Sequence, residues 1–261
     1  TLPPNIAFEL TGHAFSVIEA AKPQWESMTG DLSAKVTSSK AAVMKAAEVK
    51  SDEVMQHMLP IHPMAALILK NIASAFQSNQ RSMFDFIKTP KDLDVHAFQW
   101  FIQNTGPISD RPLLTIDMLW DFFYDKGKDY LSSDIKLILD TFPQQTNLNN
   151  KEKIVLKTIL IMQAVDQRLG GSIPVLKPTD QNLSYAFEGD WDELENECKS
   201  IRLLYWLAMA RRLTNTKRKS AKRVQSQNLL MRALRLHLPW RSFRRCAFAL
   251  SAIRIRELCL L

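Results

Sequence analysis

Few residues of this chain are spaced for chemistry of their own. Gly127-Lys128 is its one Gly-Lys pair, and it lies in YDKGKDY without the G-x-x-x-x-G-K-[ST] loop whose backbone amides would face a phosphate. Its plain reading is a turn that ends a helix. His57 and His62 are separated by Pro60, which breaks any shared helical face, and no acid-plus-His spacing matches a metal site, so both read as core or surface histidines. Three cysteines, Cys198, Cys246 and Cys259, fall in the last quarter with no organised His partner and no paired-Cys zinc spacing. No Gly-x-Ser-x-Gly elbow occurs. A self-contained active site or metal site is not expected.

Charge is the next feature that could act on a partner. Of the 34 Lys and Arg, 15 lie in residues 201–261 beside a single acid, Glu257, giving that segment +14 and the preceding 200 residues −7. Arg211, Arg212, Lys217, Arg218, Lys219, Lys222 and Arg223 would neutralise phosphates of DNA or RNA, with affinity falling steeply as salt rises. Trp206 and Trp240 are too sparse to argue base stacking. Leu230, Leu234 and Leu236 beside Arg232 and Arg235 form a basic amphipathic stretch that also suits a membrane surface. A third reading is a shifted reading frame: residues 190–261 contain no Gly, Asp ends at Asp192, and Arg, Leu, Ser and Cys are enriched.

The elements that must carry these residues read as helices. With 261 residues, 46% apolar and 23% charged, the chain has the balance of a globular protein with a sizeable core. Low cysteine usage suits a reducing cytosol, the opening TLPPNIAFEL has no visible signal peptide, and no run approaches the ~18 apolar residues of a membrane span. A cytoplasmic location is expected.

Phe8, Phe15, Val17 and Ile18 predict a helix over 8–21 closed by Pro23, and 33–50 predicts an exposed Ala- and Lys-rich helix. Ser51 caps a short helix ended by Pro60, and Pro63 opens another with a buried stripe of Met64, Leu67, Ile68, Ile72 and Phe76. Helices follow at 83–87, 92–104, after Thr115 and at 132–142. A strong helix in the segment from 147 stops at Gly170, SIPVLKP is extended, Thr179 caps a shorter helix ended by Gly189, and a third begins at 190. Long, short and third helices in this order suit a winged-helix unit, but the hairpin wing that should follow is absent. The fold class is mainly α: helical hairpins or a bundle, then a winged-helix-like module and an irregular or helical basic tail.

One stretch is specific. LPIHPMAALILKNIASAFQSNQRSMFDFI (59–87) carries Leu59, His62 and Pro63, an apolar helix, Ser78-Asn79-Gln80-Arg81-Ser82 and Phe84-Asp85-Phe86. It resembles the helical region that follows the nucleotide-binding core in large bacterial P-loop ATPases, including those encoded with phage-defence systems. The resemblance continues through HAFQWFIQNTGP and LLTIDMLWDFFYDKGKDYL and fades near residue 200. It implies an AAA-type helical lid (51–146) and a winged-helix-like module (147–200), between the helical N-terminal segment (1–50) and the basic tail (201–261) read from the residues themselves.

It also implies that Asn79, Gln80 and Arg81 contact a nucleotide, Arg81 reaching phosphate oxygens with its planar fork. The alternative is that Asn79 and Arg81 only cap and salt-bridge the turn between helices. The family's phosphate loop and metal-binding acid are not in this chain, so the resemblance does not imply hydrolysis by this polypeptide alone. ATP and Mg would belong to the complete protein, with a missing nucleotide-binding core or a partner ATPase as the first partner. A free-standing nucleic-acid-binding adaptor, using the basic tail, is the competing expectation.

Overall fold

The computed structural model describes residues 4–14, 19–76, 82–90, 93–106, 109–145 and 147–189. The chain divides at residue 202 into two units, and all of these residues lie in the first. Every regular element among them is helical, and the one β-bridge is a parallel pairing of Ile61 with Leu114. The mainly α expectation is met.

Helices α1 (Pro4–Ala14), α2 (Lys22–Lys35), α3 (Thr37–Ala47) and α4 (Asp52–His57) precede the central helix α5 (Pro63–Phe76). Then come α6 (Met83–Lys88), α7 (Phe98–Asn104), α8 (Ser133–Leu139), the long α9 (Asn150–Arg168) and α10 (Asp180–Ala186). Between α7 and α8 the chain makes a 3₁₀ turn at Ile116–Leu119 and a π-helical turn at Asp121–Asp125.

The core is built around α5. Its expected stripe is buried, and so are Ala65, Ala66 and Leu69, because α1, α3, α6, α9 and α10 surround the helix. A helix this apolar must lie largely inside its domain, with Lys70 on its partly exposed side. Each large side chain buried there stabilises the fold by about 1.5–3 kcal/mol. Helix α9 packs on α5 and α8, and α10 packs on α3 and α5, so elements from 1–50, 51–146 and 147–189 share one core. Phe86 joins the layers: it stacks on Phe123 at 6.0 Å and meets Phe122 edge-on at 5.4 Å, while Phe76 meets Phe123 edge-on at 6.3 Å.

Several boundaries differ from the sequence expectation. Pro23 falls in the first turn of α2 instead of closing the preceding helix, a place where its fixed φ and missing N–H cost nothing. The single exposed helix expected at 33–50 is two: the helical path breaks at Val36, whose backbone is non-helical (φ −119°, ψ 31°) and whose side chain sits in a cluster with Leu32, Leu59 and Leu113. Burying Val36 outweighs the helical propensity of the Ala- and Lys-rich run around it. Val43 and Ala47 are likewise buried in α3. Helix α7 starts only at Phe98 and leaves Ile102 exposed, and SIPVLKP contains a 3₁₀ turn at Pro174–Leu176 where an extended run was expected. Ser51, Pro63, Thr179 and Gly170 stand where they were expected to bound helices, Gly170 with a positive φ of 63°.

Gly127 ends the aromatic segment by close approach to backbone. A Cβ there would stand 2.5 Å from the Phe123 carbonyl oxygen and 2.9 Å from that of Phe122. Neither carbonyl can yield without moving the buried aromatic pair. Gly127→Ala is therefore expected to lower stability by about 1–3 kcal/mol, the usual cost of overpacking, read as a shift of the urea unfolding midpoint at unchanged slope.

Candidate functional site

Asn79, Gln80 and Arg81 lie outside the described residues, but both ends of the connection that carries them are described. On one side α5 runs into Phe76, fully buried, and Arg168 of α9 donates from Nε to the Ala75 carbonyl at 3.2 Å. Arg168 Nη1 also reaches Asp134 at 2.9 Å, so one guanidinium braces the end of α5 against the start of α8. On the other side Ser82 and Asp85 form a capping box: the Ser82 hydroxyl accepts from the Asp85 N–H at 3.2 Å, and Asp85 Oδ2 accepts from the Ser82 N–H at 2.9 Å. Met83 and Phe86 then anchor α6 in the core. The five residues 77–81 thus join two fixed helix ends.

Arg211, Arg212, Lys217, Arg218, Lys219, Lys222 and Arg223 also lie outside the described residues, as do Cys198, Cys246, Cys259 and the helix expected at 190–201. Among the described residues no group of three or more His, Cys, Asp or Glu could hold a metal ion, and no helix is long and apolar enough to cross a membrane.

Lys128, the lysine of the Gly-Lys pair, is tied to the protein itself. Its ammonium lies 2.6 Å from Asp140 and 3.2 Å from the Tyr124 hydroxyl, which donates to the same carboxylate. The bond to Asp140, and then that to Tyr124, raises its pKa to about 12. The pair closes a turn, as its sequence context suggests.

The described residues bring a set of polar groups together around a cavity of about 440 Å³ beside α7. Its apolar floor includes Phe86, Phe101, Leu114 and Met118. One wall is an aromatic slab: the His96 and Trp100 rings stack with centroids 3.9 Å apart and planes at 18°. The His96 main-chain N–H donates to Asp121 Oδ2 at 2.6 Å. At the base Arg111 makes a two-pronged pair with Asp117, Nη1 to Oδ2 at 3.0 Å and Nη2 to Oδ1 at 2.8 Å, and Nη2 also donates to the Thr115 hydroxyl. Thr115 in turn donates to Asp117 Oδ1 at 2.6 Å. Its side chain serves this network and not the helix terminus after it, where it makes no capping bond.

None of these residues stands out in the sequence as a site. The only signal is Arg111, Thr115 and Asp117 at short spacing in an otherwise apolar stretch, and the spacing alone does not say that the three converge.

Lys157 closes the cavity from α9. Its ammonium lies 5.2 Å from the Phe142 ring centroid and 5.7 Å from that of Trp120. It also pulls down the Asp125 carboxyl, whose pKa burial nonetheless holds above the ordinary carboxylate value. Trp120 Nε1 donates to that same carboxylate at 3.1 Å.

Compared with protein-family models, with curated proteins and with solved structures, the chain finds no match.

Of the two histidines, His57 stands on α4 with Glu53 3.9 Å away, whereas His62 is fully buried. His62 Nδ1 accepts from the Met64 N–H at 3.2 Å, and Nε2 meets no partner in hydrogen-bond geometry. Burial lowers its pKa from 6.5 to about 4 against the opposing electrostatic pull of Glu188. Glu188 itself caps α3, its carboxylate accepting the Ser38 and Ser39 N–H groups at 2.9 and 2.6 Å. Those bonds hold its pKa below the usual value although burial pushes it up.

Between pH 6.5 and 4 the unfolded chain protonates His62 and the folded protein does not. Its contribution to stability is therefore complete above pH 6.5 and is lost as pH falls, by about 3 kcal/mol at pH 4. His62→Asn, whose side-chain oxygen can still accept from Met64, is expected to flatten the fall in urea-unfolding free energy between pH 6.5 and 4.5.

Proposed function

We propose that the chain is a non-catalytic helical module that couples the nucleotide state of a P-loop ATPase, of the bacterial defence or DNA-handling type it resembles, to movement of a larger assembly. In this reading residues 51–146 act as the lid and 147–200 as a winged-helix-like module without its wing. Asn79, Gln80 and Arg81 face a nucleotide held by a separate core, which supplies the phosphate loop and the Mg site. The observation that carries it is the anchoring of the 77–81 connection, by Phe76 and Arg168 at one end and by the Ser82–Asp85 capping box at the other. A guanidinium carries a planar fork of donors, and such a fork is what phosphate recognition uses.

Such a module gains stability from any nucleotide its folded form binds. A non-hydrolysable ATP analogue with Mg is expected to raise the Tm of the purified chain, and Arg81→Ala to abolish the rise, with no nucleotide turnover in either protein. A rise unchanged in Arg81→Ala, or turnover by the purified chain free of contaminating ATPase, defeats the reading.

The division of charge favours a second reading, an adaptor that holds DNA or RNA backbone through residues 201–245. It predicts binding to duplex DNA whose log affinity falls linearly with log salt, with a slope of about −0.9 per phosphate neutralised. Deleting residues 202–261 should remove that binding. Affinity that survives the deletion or ignores salt, measured by fluorescence anisotropy, rejects it.

A further inference from the structure

The cavity beside α7 has a chemistry of its own. Three carboxylates line it, Asp110, Asp117 and Asp121, with two cations, Arg111 and Lys157. Both cations are engaged within the protein. Arg111 uses both prongs on Asp117 and one also on Thr115. Lys157 lies over the Phe142 and Trp120 rings with Asp125 as its neighbouring charge. Asp117 is matched by Arg111, and with Lys157 set against Asp110 and Asp121 the lining keeps a net charge of −1. Lys126, the basic residue nearest Asp121 in sequence, places its ammonium on Asp94 at 2.7 Å and interacts with Asp121 through space. Asp121 accepts the His96 N–H through Oδ2, and a carboxylate holding one such bond still has acceptor capacity on both oxygens.

Next to these acids stands the Trp100 indole, backed by the His96 ring. An indole face attracts a cation most strongly among aromatic side chains, while two carboxylates repel an anion. We propose that this cavity binds the cationic end of an organic ligand, a guanidinium or alkylammonium group, held between the Trp100 face and the carboxylates of Asp110 and Asp121. The volume of about 440 Å³ leaves room for the apolar stem of such a group against Phe101 and Met118. An arginine or lysine side chain of a peptide and a free organic cation share this chemistry. The proposal is independent of the nucleotide reading and survives its failure.

The test follows the indole N–H resonance of Trp100 in the full chain by two-dimensional NMR, assigned as the peak missing in Trp100→Phe. The probes are the capped tripeptide Gly-Arg-Gly, its citrulline counterpart, which keeps the shape and loses the charge, and agmatine as the free cation. The arginine peptide is expected to move the Trp100 peak saturably. The citrulline peptide should bind at least about tenfold more weakly, the loss that goes with removing a charge-assisted hydrogen bond. Asp121→Asn should weaken the arginine peptide by a similar factor. Asp110→Asn, at an exposed position, should weaken it while leaving the rest of the spectrum in place, which separates lost binding from lost folding. Tighter binding of the peptide than of agmatine identifies a polypeptide ligand, and the reverse order a small one. An unmoved Trp100 peak, or equal binding of arginine and citrulline peptides, overturns the proposal.

Discussion

Two main-chain hydrogen bonds hold the two halves of the described unit in register. His62 N–H donates to the Leu114 carbonyl at 3.0 Å, and Leu114 N–H donates to the Pro60 carbonyl at 2.9 Å. This clip fixes the entry to α5 beside the segment that carries Arg111, Thr115 and Asp117. Leu59, Ile61, Leu113, Leu114 and Ile116 beside it are buried. Backbone polar groups buried there must pair with each other, because water cannot reach them. The clip therefore also decides where His62 sits, sealed in the core with one nitrogen bonded.

From that register the aromatic core follows. Once Leu114 is fixed, the 3₁₀ turn and the π-helical turn after it bring Phe122 and Phe123 onto Phe86 and Phe76. A π-helical turn advances the chain less per residue than an α-helix, and here it places two consecutive phenylalanines, with Trp120 just before them, in the interior. Gly127 closes that turn, where no side chain could fit against the Phe122 and Phe123 carbonyls. The same packing leaves the cavity beside α7, since Phe101 and Met118 fill only part of the space between α7 and the 109–121 segment. Stability and the candidate binding site thus share one cause.

The nucleotide reading and the cation site make different demands on the chain. The first needs a residue on the 77–81 connection and a nucleotide held elsewhere. The second needs only residues of the described core. The resemblance behind the first is most specific over residues 59–87, and the core accounts for much of that stretch's composition: most of α5 is buried, and α6 is pinned by its capping box and by Phe86. A sequence so constrained by packing carries a pattern whether or not it also carries a site, so the role of Arg81 has to be decided by its own variant.

The sequence by itself determined the helical class, because helical periodicity, Pro63, Thr179 and Gly170 act within a few residues of where they stand. It also marked Gly127 as a turn. Only the tertiary structure decided that Val36 interrupts a run of helix formers, since the gain comes from Leu32, Leu59 and Leu113 meeting it in space. The pairing of Arg111 with Asp117 and the stacking of His96 on Trp100 beside Asp121 were likewise beyond the sequence. Those contacts depend on how far each side chain reaches and which neighbours exclude water, and neither quantity is a property of spacing along the chain.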